Sequence, residues 1–231
     1  MVEKKNEESK LAEGIKLYKR NDFTNALAFF ISLPENSDID NIELAYYIGL
    51  CYARLERYDD ALLYLEQVVT GDKENERMFQ CRYLLAVIYA KIGKKRMADF
   101  ELNKLLEKGY QPSKVYSSLA YVAWEQDETE KCISYYKKSL ELDPENPTAL
   151  NGLGYVLACQ DKELTKALSY CKRALDMNPQ SAACLDSVGW VYHKLGLKSD
   201  SEKYLRQALA IKPDDSEILE HIKIAQVDID E

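Results

Sequence analysis

Apolar and small residues return along this chain in a fixed helical pattern. Aligning the copies on a small residue gives Gly14, Gly49, Ala86, Ala120, Gly154 and Gly189, in steps of 35, 37, 34, 34 and 35 residues. Three residues further on stand Leu17, Tyr52, Tyr89, Ala123, Leu157 and Tyr192. A second small position follows at Ala26, Ala61, Ala98, Cys132, Ala167 and Ser201. Four residues beyond it come the bulkier Phe30, Leu65, Leu102, Tyr136, Cys171 and Leu205. Spacings of three and four place such residues on one helical face. Each period therefore predicts two amphipathic helices that cross closely where the small residues lie, with the larger ones filling the gap around the crossing.

Polar residues and prolines punctuate the pattern. Pro144, Pro179 and Pro213 follow the second helix of the last three copies, where a residue without an N–H stops a helix. Asn146-Pro147 restarts the chain, pairing an N-cap with a residue suited to the first helical position. Pro34 shortens the second helix of the first copy. The extra residue of the fifth copy belongs in the turn Asp161-Lys162-Glu163-Leu164, and the surplus of the second in Gly71-Asp72-Lys73-Glu74-Asn75. Residues 214–227, with Ile218, Leu219, Ile222 and Ile224, read as one more amphipathic helix that solvates the end of the array.

A helix–turn–helix unit repeating near every 34 residues resembles the tetratricopeptide repeat. The copies containing Leu153-Gly154-Tyr155 and Val188-Gly189-Trp190 look most like bacterial members. The resemblance implies an all-α, right-handed superhelical solenoid of antiparallel helix pairs. Its units span about 7–40, 42–75, 79–112, 113–146, 147–181 and 182–215 within an array over 1–213, and 214–231 forms a capping helix and acidic tail. It also implies that the first helices line a concave binding face. The inward positions then include Tyr46 and Leu50; Tyr83 and Val87; Ser117, Tyr121 and Trp124; Asn151 and Tyr155; Asp186, Trp190 and His193. Chaperone-binding relatives place lysine, asparagine and arginine at such positions to clamp a carboxylate. Here they hold tyrosine, leucine, valine and aspartate, so the resemblance implies no such clamp. An aromatic groove remains, and tyrosine and tryptophan suit partner recognition because they combine large contact area with a polar tip.

Composition narrows the picture further. The net charge of −8 disfavours nucleic acid, whose phosphates it would repel. The local basic run Lys91 to Arg96 reads as a solvated turn. No apolar run approaches the ~20 residues that span a bilayer, and the polar start carries no secretory signal. Six cysteines follow the helical register, with Cys132 and Cys171 at packing positions, which points to free buried thiols and a cytoplasmic home. His193 and His221 lack metal-ligand spacing, and Gly152-Leu153-Gly154 lies inside a helix, so no cofactor, metal or catalytic motif is expected. The sequence thus predicts a non-catalytic scaffold that binds a protein or peptide. Homo-oligomeric assembly and an apolar small ligand are the alternatives.

Overall fold

The computed structural model describes residues 2–34, 39–71 and 74–227, with side chains from residue 11 onward. Thirteen helices and no strand occur among the described residues: α1 (Val2–Lys19), α2 (Phe23–Ile31), α3 (Asn41–Arg54), α4 (Tyr58–Gly71), α5 (Glu76–Lys91), α6 (Lys95–Glu107), α7 (Pro112–Trp124), α8 (Thr129–Leu142), α9 (Pro147–Cys159), α10 (Leu164–Met177), α11 (Ala182–Lys194), α12 (Lys198–Ile211) and α13 (Ser216–Ala225). They form two compact units, one ending at Tyr110 and the other starting at Gln111. In each unit every helix packs on its chain neighbours, and successive first helices also touch: α1 on α3 and α3 on α5, then α7 on α9 and α9 on α11.

The helix crossings lie where the small residues predict them. Ala26, Ala61, Ala98, Cys132 and Ala167 are fully buried, and Ser201 nearly so. A Cβ on Gly189 would stand 2.8 Å from the Leu205 side chain. One on Gly154 would stand 2.8 Å from the Ala167 carbonyl oxygen and press on the Cys171 sulfur. Both glycines are needed for close approach, since such contacts lie inside van der Waals distance. Phe30 and Leu65 fill the equivalent places opposite Gly14 and Gly49. Gly152 serves a different contact: it leaves room for the Tyr136 ring of the preceding pair.

The turn inside each pair is also repeated. Asn21, Glu56, Gly93, Asp127, Asp161 and Gly196 all have φ between 51° and 75°. Each stands seven residues after the small residue that marks its unit. The N–H of Asp22, Arg57, Lys94, Glu128, Lys162 and Leu197 then donates back to the carbonyl of Leu17, Tyr52, Tyr89, Ala123, Leu157 and Tyr192, at 2.8 to 3.1 Å. This left-handed closure satisfies carbonyls that the end of the first helix would otherwise orphan. The fifth copy absorbs its extra residue with a second left-handed position, Glu163. The basic run contributes Lys91 to α5, Gly93 to the turn and Arg96 to α6.

Between pairs, side chains start the next helix. Asp40, Asn75, Asn146, Ser181 and Asp215 each accept a backbone N–H of the first turn that follows. Of the polar connector expected after Gly71, Asp72 and Lys73 lie outside the described residues. One expectation needs correction. The final helix covers Ser216–Ala225 rather than 214–227, because Asp215 caps it and Gln226 closes it in the left-handed region. Only Ile218 and Ile222 of its four named apolar residues are buried, while Leu219 and Ile224 are 40% and 46% exposed. The second helix of the first pair is indeed short, nine residues against 14 in α4.

The crossing geometry makes Gly154→Leu an overpacking change, expected to lower stability by ~1–3 kcal/mol or more; a thermal melt at neutral pH checks it. Burial also sets an alkaline limit. It pushes the Cys51 and Cys132 thiols from 9.0 up to about 12, and is the main cause of a rise to about 12 at Tyr46. These groups stay neutral in the fold at pH values where the unfolded chain has ionised. Their contribution is therefore complete below the unfolded pKa values and lost as pH climbs through the folded ones. Melting temperature is expected to hold near neutral pH and fall between about 9 and about 12, as a pH series of melts would show.

Candidate functional site

In the first unit the inward residues sit on α3 and α5. Tyr46, Leu50, Tyr83 and Val87 are all half-buried. Tyr46 is committed within the protein: its hydroxyl donates to Gln80 Oε1 at 2.8 Å. The Arg77 guanidinium lies 5.2 Å from its ring centre and also pairs with Glu43 at 3.2 Å.

The second unit contains a groove of about 430 Å³. Tyr121 and Trp124 reach it from α7, Asn151 and Tyr155 from α9, and Glu217 and Ile218 from α13. Gly152 and the Tyr136 ring also line it. Tyr121 is 45% exposed. The Trp124 and Tyr155 rings meet edge to face at 6.2 Å, an arrangement that fixes both. Asn151 donates through Nδ2 to Ser187 Oγ at 3.0 Å, and its buried Oδ1 has no partner among the described residues. Burial, then Glu125 and Glu217, raise the pKa of Tyr121. Burial, then Cys159 and Glu217, raise that of Tyr155. Both phenols therefore stay neutral beside two carboxylates.

The residues expected from the last repeat are placed differently. Asp186 and Trp190 are only 4% and 8% exposed, because α13 packs on α11. His221 of α13 is itself 5% exposed. Its Nδ1 donates to the Asp186 carboxylate, 2.9 Å from each oxygen. Its ring stacks on Trp190 at 4.2 Å with the planes 17° apart, and Nε2 faces the Tyr155 hydroxyl at 3.4 Å. Asp186 thus serves as an anchor for the final helix, with one edge reaching the groove, and Trp190 is its platform. His193 is half-buried and also stacks on Trp190, 5.2 Å between ring centres; burial, Lys194 and His221 lower its pKa. Ser117 does not face inward. It is 2% exposed and bonds Ser139 of α8 at 2.8 Å, beside Ser113, which accepts from Asn146 at 3.0 Å.

His221 is the residue that sequence reasoning missed. Its signal lay in the caps. Counting six residues from Asn146, Ser181 and Asp215 reaches Gly152, Ser187 and His221, and the last two both bond the residue five beyond the preceding cap, Asn151 and Asp186. Lys223 occupies the place of the small residue in α13, which hides the register. No group of His, Cys, Asp and Glu that could hold a metal occurs among the described residues.

Three models described as tetratricopeptide repeat match residues 43–70, 113–146 and 145–214. The chain belongs to the tetratricopeptide repeat family. No curated protein matches it significantly. Solved repeat structures do match. The chain of the APC/C hetero-tetramer Cut9–Hcn1 aligns with TM-score 0.76 at 16% identity, over 93% of this chain and 42% of that one. The chain therefore spans less than half of that protein's length. PilF of Pseudomonas aeruginosa aligns at 0.73 and 14%, over 97% of this chain and 100% of that one. The thermophilic repeat protein TTC0263 of Thermus thermophilus aligns at 0.64 and 19%, over 80% and 98%. At these identities the likeness shows the fold, an all-α tetratricopeptide solenoid. Among the described residues no helix is long and apolar enough to cross a membrane.

Removing the imidazole would leave the Asp186 carboxylate buried without its donor and open a void against Trp190. His221→Ala is expected to cost about 3 kcal/mol, read by denaturant unfolding. It should also shift the fluorescence of Trp190, one of two tryptophans in the chain. Unchanged stability would show that this pair does not hold α13.

Proposed function

We propose that the chain is a non-catalytic scaffold that binds a segment of a partner protein in the groove of its second unit. One observation carries the reading: Tyr121, Trp124 and Asn151 converge on an open cleft with polar and aromatic capacity that the protein does not itself use. Aromatic side chains bury large area at small cost in rotamer freedom, and a free amide oxygen can hold a peptide N–H. The carboxylate clamp of chaperone-binding repeats has no counterpart here, since the groove offers no lysine or arginine. The matched Cut9–Hcn1 structure is a hetero-tetramer, so a chain of this fold takes part there in an assembly of different chains. Cytoplasmic residence suits six free thiols, five of them buried.

Selection of a random peptide library on the full chain tests this. Bound peptides are expected to have Kd values around micromolar, roughly −8 kcal/mol. Tyr121→Ala should weaken them by ~10-fold or more with little change in melting temperature, because nearly half of Tyr121 is exposed. Equal binding to the variant would place the site elsewhere.

A further inference from the structure

We infer that the segment this groove accepts is basic: an extended stretch of a partner protein carrying arginine or lysine side chains. This rests on the groove being a peptide site and names the chemistry of its occupant. Four carboxylate residues line the cleft, Glu125, Asp186, Asp215 and Glu217, and no lysine, arginine or histidine does. Asp186 is satisfied by His221, and Asp215 is engaged at the α13 N-terminus and with Lys212. Glu125 and Glu217 have no cationic partner among the described residues, and both stand close enough to Tyr121 to act on its phenol.

The rings give a second, independent indication. Several rings elsewhere carry one of the protein's own cations, such as Arg57 over Tyr52, Lys172 over Tyr192 and Lys194 over Trp190, at 4.7, 5.2 and 5.4 Å. Tyr121, Trp124 and Tyr155 carry none among the described residues. Aromatic faces flanked by carboxylates attract a guanidinium or ammonium by two additive effects, the ring quadrupole and charge-assisted hydrogen bonding. The unused amide group is also an acceptor, Asn151 Oδ1. Asn151 Oδ1 and the Glu125 and Glu217 carboxylates thus each call for a donor. An acidic occupant would meet repulsion, and an apolar one would strip water from Glu125 and Glu217 without replacing it. The chain's net charge of −8 further favours encounter with a cationic segment.

The library selection decides the matter when the recovered peptides are sequenced and remeasured by fluorescence anisotropy. Arginine or lysine should be enriched over the starting library. The double variant Glu125→Gln, Glu217→Gln should bind the recovered peptides ~10-fold more weakly, with its melting temperature unchanged. Affinity should also fall as salt is raised. Peptides that need Tyr121 but are acidic or uncharged, or basic peptides that bind the double variant as well as the parent, would overturn the inference while sparing the groove. Indifference to Tyr121→Ala would remove the groove itself. A salt-sensitive oligomer of the purified chain that the double variant dissolves would make a second copy, through its basic turn Lys94-Lys95-Arg96, the occupant in place of a partner protein.

Discussion

Everything in this molecule hangs on how closely two helices of a pair can approach. Where Gly154 meets Ala167 and Cys171, or Gly189 meets Leu205, there is no room for a single added carbon. That approach sets the spacing of the axes, and the spacing decides which residues are covered. The bulky position of each second helix is then forced against the first, and Phe30, Leu65, Leu102 and Leu205 disappear from solvent. Since one pair cannot cover its outer faces, pairs within a unit lean on one another, and their first helices are brought side by side. The groove is what remains between them once those faces have met.

Polar contacts then fix the order of the first helices. Tyr46 bonds Gln80, Asn151 bonds Ser187 and Asp186 bonds His221, each a link from one first helix to the next. These rungs differ chemically but serve the same step. The last is made by α13, which no further helix follows among the described residues. Helix α13 stands where the first helix of another pair would stand, so its arrival buries Asp186 and Trp190 and leaves the aromatic cluster around Tyr121 and Trp124 as the open part of the second unit.

The fold was legible because crossing positions tolerate so few residue types. Six small residues in register announce helix pairs, and Asn146-Pro147 announces the start of one of them. The groove was partly legible. Tyr121, Trp124, Asn151 and Tyr155 were placed inward by counting from Gly154 and Ala120, and the structure gathers them in one cleft. Ser117 was misplaced by the same count, because a small hydroxyl can turn toward Ser139 where a tyrosine would not fit. The burial of Asp186 and Trp190 and the part played by His221 were not legible for another reason: these surroundings depend on α13, whose Lys223 breaks the small-residue pattern. Contacts made by an irregular terminal element do not follow from a rule learned on regular ones.

The left-handed residue in each intra-pair turn has a consequence for how this chain can vary. Four of the six turns place Asn21, Glu56, Asp127 and Asp161 in a backbone region that costs an L-residue about 1–2 kcal/mol. Only Gly93 and Gly196 avoid that cost. In arrays of this kind, stability is close to a sum over units and their neighbours. Each strained turn is thus a separate, local reserve: a change there alters the strength of one pair and leaves the spacing of the others intact. The array can drift in sequence turn by turn, with the surface carrying the groove insulated from the adjustment.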